Sequence, residues 1–165
     1  MKFRFTILFF LVLLISCKGD DYYNIATYHA KQGDYDKAIE YFSKAIEQNP
    51  KDAEAYYNRA YSQQTLGGKH QQVIEDYTKS LELNPKDYEA YMNRGVAKMA
   101  IGKTSEAIQD YLKSIEINPD YPIVYANLGN AYKLELDNEK ACQSWKKSLK
   151  MGNEKVGERI ELNCN

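Results

Sequence analysis

Four tyrosines, Tyr22, Tyr56, Tyr91 and Tyr125, recur at spacings of 34, 35 and 34 residues. A period of that length confines a chain to a stack of like units, each burying its apolar face on the next. Other rows keep the same register. Gly33, Gly67, Gly102 and Leu136 form one, so the fourth copy has lost its glycine. Ala38, Val73, Ala107 and Ala141 form a second, and Phe42, Tyr77, Tyr111 and Trp145 a third. Pro50, Pro85 and Pro119 close the first three copies. The extra residue of the second copy falls between Gly67 and Val73, in GKHQQ, where insertion into a surface turn costs little.

The copy from Tyr88 to Pro119 shows what one unit is. Tyr91, Arg94, Gly95 and Lys98 keep the spacing of one helical face, which is more apolar in the later Tyr125, Leu128, Gly129 and Tyr132. Ala107, Ile108, Tyr111, Ser114 and Ile115 make a second stripe, and Asn118-Pro119 ends it, because proline restricts the residue before it. Gly102, between the stripes, can take the left-handed conformation that closes a helix. One unit is therefore a helix-turn-helix hairpin, and the fold class is all-α.

At these residues the chain resembles the tetratricopeptide repeat family, whose pattern of aromatic, Leu-Gly, Tyr, Ala, aromatic and Pro recurs over about residues 20–153. The first copy departs from it with Ile25-Ala26 and with His29 in place of a tyrosine. The resemblance implies a right-handed superhelical solenoid of four hairpins, at about 19–52, 53–87, 88–121 and 122–153. It also implies a concave groove lined by the first helix of each pair. Residues 154–165 follow without a new unit. Val156, Ile160 and Cys164 share one face there, as expected of a capping helix with a polar outer side.

Residues 1–16 begin with Lys2 and Arg4, run apolar from Ile7 to Ile15 and end at Ser16 before Cys17. A membrane span needs about 20 apolar residues, so this reads as a secretory signal. Leu14-Ile15-Ser16-Cys17 resembles the bacterial lipobox, which implies a lipid on Cys17, membrane attachment through it and a place in the bacterial cell envelope, on the periplasmic face of the outer membrane or at the cell surface. An ordinary cleavage site beside an incidental cysteine is the other reading. Residues 17–21 are expected as a tether. Asp20 or Asp21 either caps the first helix or acts, as in lipoproteins of the kind this segment resembles, as an address for the cell surface.

Without Lys2 and Arg4 the chain carries 20 basic against 23 acidic residues. No window is a basic patch interleaved with aromatics, so no nucleic-acid partner is expected. His29 and His70 lack cysteines or carboxylates at metal-ligand spacing, and no phosphate loop, nucleophile elbow or HExxH motif occurs, so no cofactor, metal or catalytic residue is assigned. Cys142 and Cys164 lie about equally far on either side of a reversal near Gly152-Asn153. Antiparallel helices bring them side by side, either as a disulfide or as two buried thiols.

The expected site is the groove. Asn24, Asn58, Asn93 and Asn127 hold one position in the four first helices and point away from the packing stripe. Tyr23, Tyr57, Met92 and Ala126 precede them, Thr27, Tyr61, Val96 and Asn130 continue the same side, and Met99 is expected with Tyr57, Tyr61, Met92 and Val96 to receive apolar side chains. A carboxylate clamp, one mode of the family, is disfavoured, since its basic places hold Tyr23, Thr27 and Glu89. In the other mode an asparagine ladder reads the backbone of an extended peptide or protein partner, each amide offering a donor and an acceptor. The alternative is a purely structural asparagine row. Few groove charges imply binding nearly insensitive to salt. A different reading makes the chain a structural subunit or assembly factor of an envelope machine, gripped by its convex face or ends.

Overall fold

The computed structural model describes residues 18–164, which form nine α-helices and one 3₁₀ turn, with no strand among them. The helices are α1 (Lys18–Lys31), α2 (Tyr35–Gln48), α3 (Ala53–Thr65), α4 (His70–Leu83), α5 (Tyr88–Ala100), α6 (Thr104–Ile117), α7 (Pro122–Leu134), α8 (Asn138–Lys150) and α9 (Gly157–Asn163). The leader and Cys17 lie outside the described residues. Helix α1 as described begins at Lys18 and so includes the backbone of Lys18 to Asp21.

Each helix packs on its chain neighbours, and α1, α3, α5 and α7 also touch one another in succession. Four hairpins therefore stack with their first helices side by side on one face. The turns inside the hairpins follow from left-handed backbone at Gly33, Gly67, Gly102 and Leu136, with φ of 77°, 70°, 76° and 62°. That conformation lets the next residue donate back to the helix end, as Asp34 N does to His29 O at 3.0 Å and Lys103 N to Lys98 O at 3.0 Å. In the second hairpin Gly68 makes this bond, to Gln63 O at 2.8 Å. The inserted residue is thus accommodated as Lys69, which precedes α4 without a side-chain cap.

Between hairpins, an Asn-Pro-Lys-Asp sequence does two jobs. Asn49 and Asn84 accept from the backbone N–H two residues on, both at 3.3 Å. Asp52 and Asp87 then cap α3 and α5, accepting from Ala55 N and Ala90 N at 3.1 and 2.9 Å. The third junction reads Asn-Pro-Asp-Tyr. Tyr121 stands where the capping aspartate stood, and α7 starts instead on Pro122, whose missing N–H needs no partner there.

The alanine and aromatic rows predicted from the period are the core. Ala38, Val73, Ala107 and Ala141 are fully buried, and Phe42, Tyr77, Tyr111 and Trp145 are nearly so. Each buried ring contributes on the order of 2 kcal/mol. Helices approach most closely where a glycine faces a ring: a Cβ on Gly95 would lie 2.6 Å from Tyr111, and one on Gly129 2.4 Å from Trp145.

In the two central hairpins an arginine bridges the pair of helices. Arg59 makes a bidentate contact with Asp76 at 2.8 and 2.7 Å, and Arg94 one with Asp110 at 2.9 and 2.7 Å. Each also donates back to the previous hairpin, at Ser43 and Thr78. The outer hairpins fill the same places with Ile25 and Tyr41, and with Leu128 and Ser144.

At the C-terminus a 3₁₀ turn (Glu154–Val156) and α9 fold back on α8. Val156 is fully buried beside Trp145, with Ile160 and Cys164 packed on the same cluster. Cys142 and Cys164 are joined as a disulfide, their Cα atoms 5.6 Å apart. The cap is therefore fixed both by packing and by a covalent bond.

Candidate interaction groove

The face formed by α1, α3, α5 and α7 carries a row of tyrosines and asparagines linked across hairpins. Asn58 Nδ2 donates to Tyr23 Oη at 3.0 Å, and Asn93 Nδ2 to Tyr57 Oη at 3.1 Å. Asn127 Nδ2 meets Met92 Sδ at 3.4 Å, because Met92 replaces the tyrosine there. The tyrosines pass the bond on: Tyr23 donates to Glu54 at 3.0 Å and Tyr57 to Glu89 at 3.4 Å. Burial, together with the Glu54 carboxylate, pushes the Tyr23 hydroxyl up to about 12. Burial and then the Glu89 charge push the Tyr57 hydroxyl upward as well.

This network divides the expected ladder. One amide N–H of Asn58 and one of Asn93 are used by the solenoid itself, so an incoming chain finds their carbonyl oxygens as acceptors and at most one N–H of each. Asn24 is exposed, and among the described residues no tyrosine is recorded as its partner. Asn130 accepts from the indole of Trp145 at 3.1 Å and so serves the core.

A cleft of about 420 Å³ opens between α3 and α5. Helix α3 supplies Tyr57, Asn58 and Tyr61, helix α5 supplies Glu89, Met92 and Asn93, and Tyr121 closes it from the third junction. Five of the expected groove residues, Tyr57, Asn58, Tyr61, Met92 and Asn93, thus come together. Val96 and Met99 do not line the cleft; α7 leans on that part of α5, and both side chains pack on the cluster around Tyr111, Val124 and Leu128. Met92 itself is mostly buried and forms the floor.

Sequence reasoning missed two of the cleft's residues as members of the site. Glu89 had been read only as an argument against a carboxylate clamp, although Glu54, 35 residues earlier, holds the same place. Tyr121 carried a signal too, since it breaks the Asn-Pro-Lys-Asp junction. Freed from the capping role, its ring packs edge-on against Tyr88, centroids 5.1 Å apart.

Outside the cleft, His29 is half-buried and stacks on Tyr41 with centroids 5.5 Å apart, its Nδ1 3.4 Å from Asp34. That is a packing role, as expected for a residue standing in for tyrosine. Among the described residues no group of three histidine, cysteine or acidic side chains is arranged to hold a metal ion.

Family models for the tetratricopeptide repeat match residues 20–52, and 41–74 with 76–109, and one described as TPR repeat matches 97–134. The chain is 42% identical over 50 residues to an uncharacterised protein of Methanocaldococcus jannaschii, covering 30% of this chain and 58% of that relative's length. Among solved structures, MamA is similar at 25% identity with a TM-score of 0.76, over 81% of this chain and 72% of that one. MamA from Desulfovibrio magneticus RS-1 shares the fold at 22% identity and a TM-score of 0.81, covering 88% and 82% of the two chains. The first TPR of Spaghetti (RPAP3), solved bound to the HSP90 peptide SRMEEVD, is similar at 27% identity and a TM-score of 0.69, over 72% of this chain and 94% of that one.

Proposed function

The chain belongs to the tetratricopeptide repeat family, and from that premise we propose that it is a non-enzymatic protein-interaction module that receives an extended polypeptide in its concave groove. The observation that carries this reading is the cleft between α3 and α5, where the exposed ring of Tyr61 and the part-buried rings of Tyr57 and Tyr121 stand beside the uncommitted carbonyls of Asn58 and Asn93. Amide carbonyls accept backbone N–H groups whatever the side chains, and the rings offer apolar area with little entropy to lose. The peptide-bound RPAP3 structure supports a polypeptide as ligand, since that neighbour has a similar fold and was solved with a peptide bound.

The test is calorimetry with peptides enriched from a random display library panned on the full chain in nonionic detergent. Changing Asn93 and Asn127 together to alanine is expected to weaken binding by about 2 kcal/mol, at about 1 kcal/mol per hydrogen bond. Because Asn93 also bonds Tyr57, the pair is expected to cost some stability as well. Unchanged affinity in a folded double variant shows the row to be structural.

The second part of the proposal is location: a lipid on Cys17 anchors the chain in a bacterial envelope. It rests on the Leu-Ile-Ser-Cys ending of the leader. Cys17→Ala is expected to move the protein from the membrane to the soluble fraction, and membrane retention with normal processing argues against the anchor. An outer-surface role in an envelope assembly is favoured by one observation: Leu66, Ile101, Leu134 and Leu136 are exposed along the edge where the hairpins turn. Partner binding that survives the groove variants supports that alternative.

A further inference from the structure

Building on the groove as a polypeptide site, we propose that the cleft between α3 and α5 is a pocket for a basic side chain, arginine or lysine, of the bound chain. Glu89 forms its acidic wall. The carboxylate accepts only long bonds, 3.4 Å each, from the hydroxyls of Tyr57 and Tyr88. Among the described residues no lysine, arginine or histidine nitrogen is recorded within 4 Å of it. This sets it apart from the acids of the hairpin interior. Asp76 is held by Arg59, and Asp110 by both Arg94 and Lys98. Glu54, one unit earlier, is like Glu89 in meeting a tyrosine hydroxyl and no recorded cation.

The rest of the lining suits a cation. Tyr61 is 47% exposed, and its ring lies nearly parallel to that of Tyr57, interplanar angle 13°. Tyr121 closes the far side. Ring faces attract ammonium and guanidinium groups, and none of the lining residues carries positive charge. The negative field reaches the walls: after burial, the Glu89 charge is the next cause raising both the Tyr57 and the Tyr121 hydroxyls. An aliphatic side chain seated here would take water from Glu89 without replacing it, and an acidic one would be repelled. The fourth hairpin has Ile123 in the glutamate's place, so the acidic wall does not recur there. The sequence-based expectation of salt-insensitive binding is thereby replaced by affinity that falls as salt rises.

Four capped heptapeptides of serine and alanine, differing only in a central arginine, lysine, norleucine or glutamate, test this by titration of the isotope-labelled full chain in nonionic detergent. The arginine and lysine peptides are expected to shift Tyr61, Glu89 and Asn93 resonances and to bind at least tenfold tighter than the norleucine peptide. Glu89→Gln removes the charge at nearly the same shape, keeping an acceptor oxygen for one of the two tyrosine hydroxyls and turning an N–H toward the other, and is expected to abolish that advantage. Tyr61→Leu, at an exposed position, is expected to weaken the arginine peptide about threefold. Equal binding of norleucine, or an advantage that survives Glu89→Gln, overturns the basic-side-chain assignment and leaves the groove reading standing. Groove resonances unmoved by all four peptides overturn both.

Discussion

Leu136 and Gly102 hold the same turn position with the same left-handed backbone, φ 62° and 76°. A side chain in that conformation costs about 1–2 kcal/mol, of which glycine's greater chain freedom returns about 0.5–1. Leu136 is 81% exposed, so it has little packing to lose. Leu136→Gly is expected to stabilise the chain by about 0.5–1 kcal/mol, seen as a higher urea midpoint. The reverse change, Gly102→Leu, is expected to lower it by a similar amount, since nothing lies within 4 Å of a Cβ there to offset the strain.

Asp110 is nearly buried between Arg94 and Lys98. Removing it alone, as Asp110→Ser, leaves two cations facing each other and is expected to cost on the order of 3 kcal/mol. Changing Arg94→Leu with Asp110→Ser reproduces the Leu128 and Ser144 of the fourth hairpin and is expected to be far milder. A double-mutant cycle in urea should return a coupling of roughly 2 kcal/mol or more. Additive costs would mean that the pair does not act as a unit.

The disulfide between Cys142 and Cys164 spans 22 residues. Closing such a loop in the unfolded chain is worth roughly 3 kcal/mol. Cys164→Ser is therefore expected to lower stability by about that amount. Hydrogen exchange should speed up most in Glu154–Asn163, while α3 to α6 keep their protection. Intact mass with and without reduction reads the bridge directly.

Tyr23, Tyr57, Tyr77 and Tyr111 all have hydroxyls held above the ordinary tyrosine value by burial, Tyr23 at about 12. Below about pH 10 these groups are protonated folded or unfolded, and their contribution is constant. Above it the unfolded chain ionises first, so stability is lost as pH rises toward the folded values. Alkaline unfolding followed by tyrosinate absorbance should thus show these rings titrating together with loss of helix. Tyr77 has a buried hydroxyl with no partner, so Tyr77→Phe is expected to be neutral or slightly stabilising.

The sequence by itself determined the hairpins, their number, the turn rows, the core rows and the facing of Cys142 toward Cys164. All but the last follow from a single period, and the cysteine pairing from the chain reversal at Gly152-Asn153; the forces behind them, apolar burial and local backbone preference, act within one unit or between adjacent ones. The insertion near Gly67 and the aromatic row ending in Trp145 were legible for the same reason. Only the tertiary structure decided how the inner face is used. How much of the Asn58 and Asn93 amides is left for a ligand depends on Tyr23 and Tyr57, each 35 or 36 residues away on another helix. Val96 and Met99 went to the core because α7 crosses α5 there, and Asn130 because Trp145 needed an acceptor. Glu89 entered the cleft and Tyr121 closed it through the stacking angle of one hairpin on the next. A repeat pattern names which residues share a row; the superhelix sets which of them meet across it.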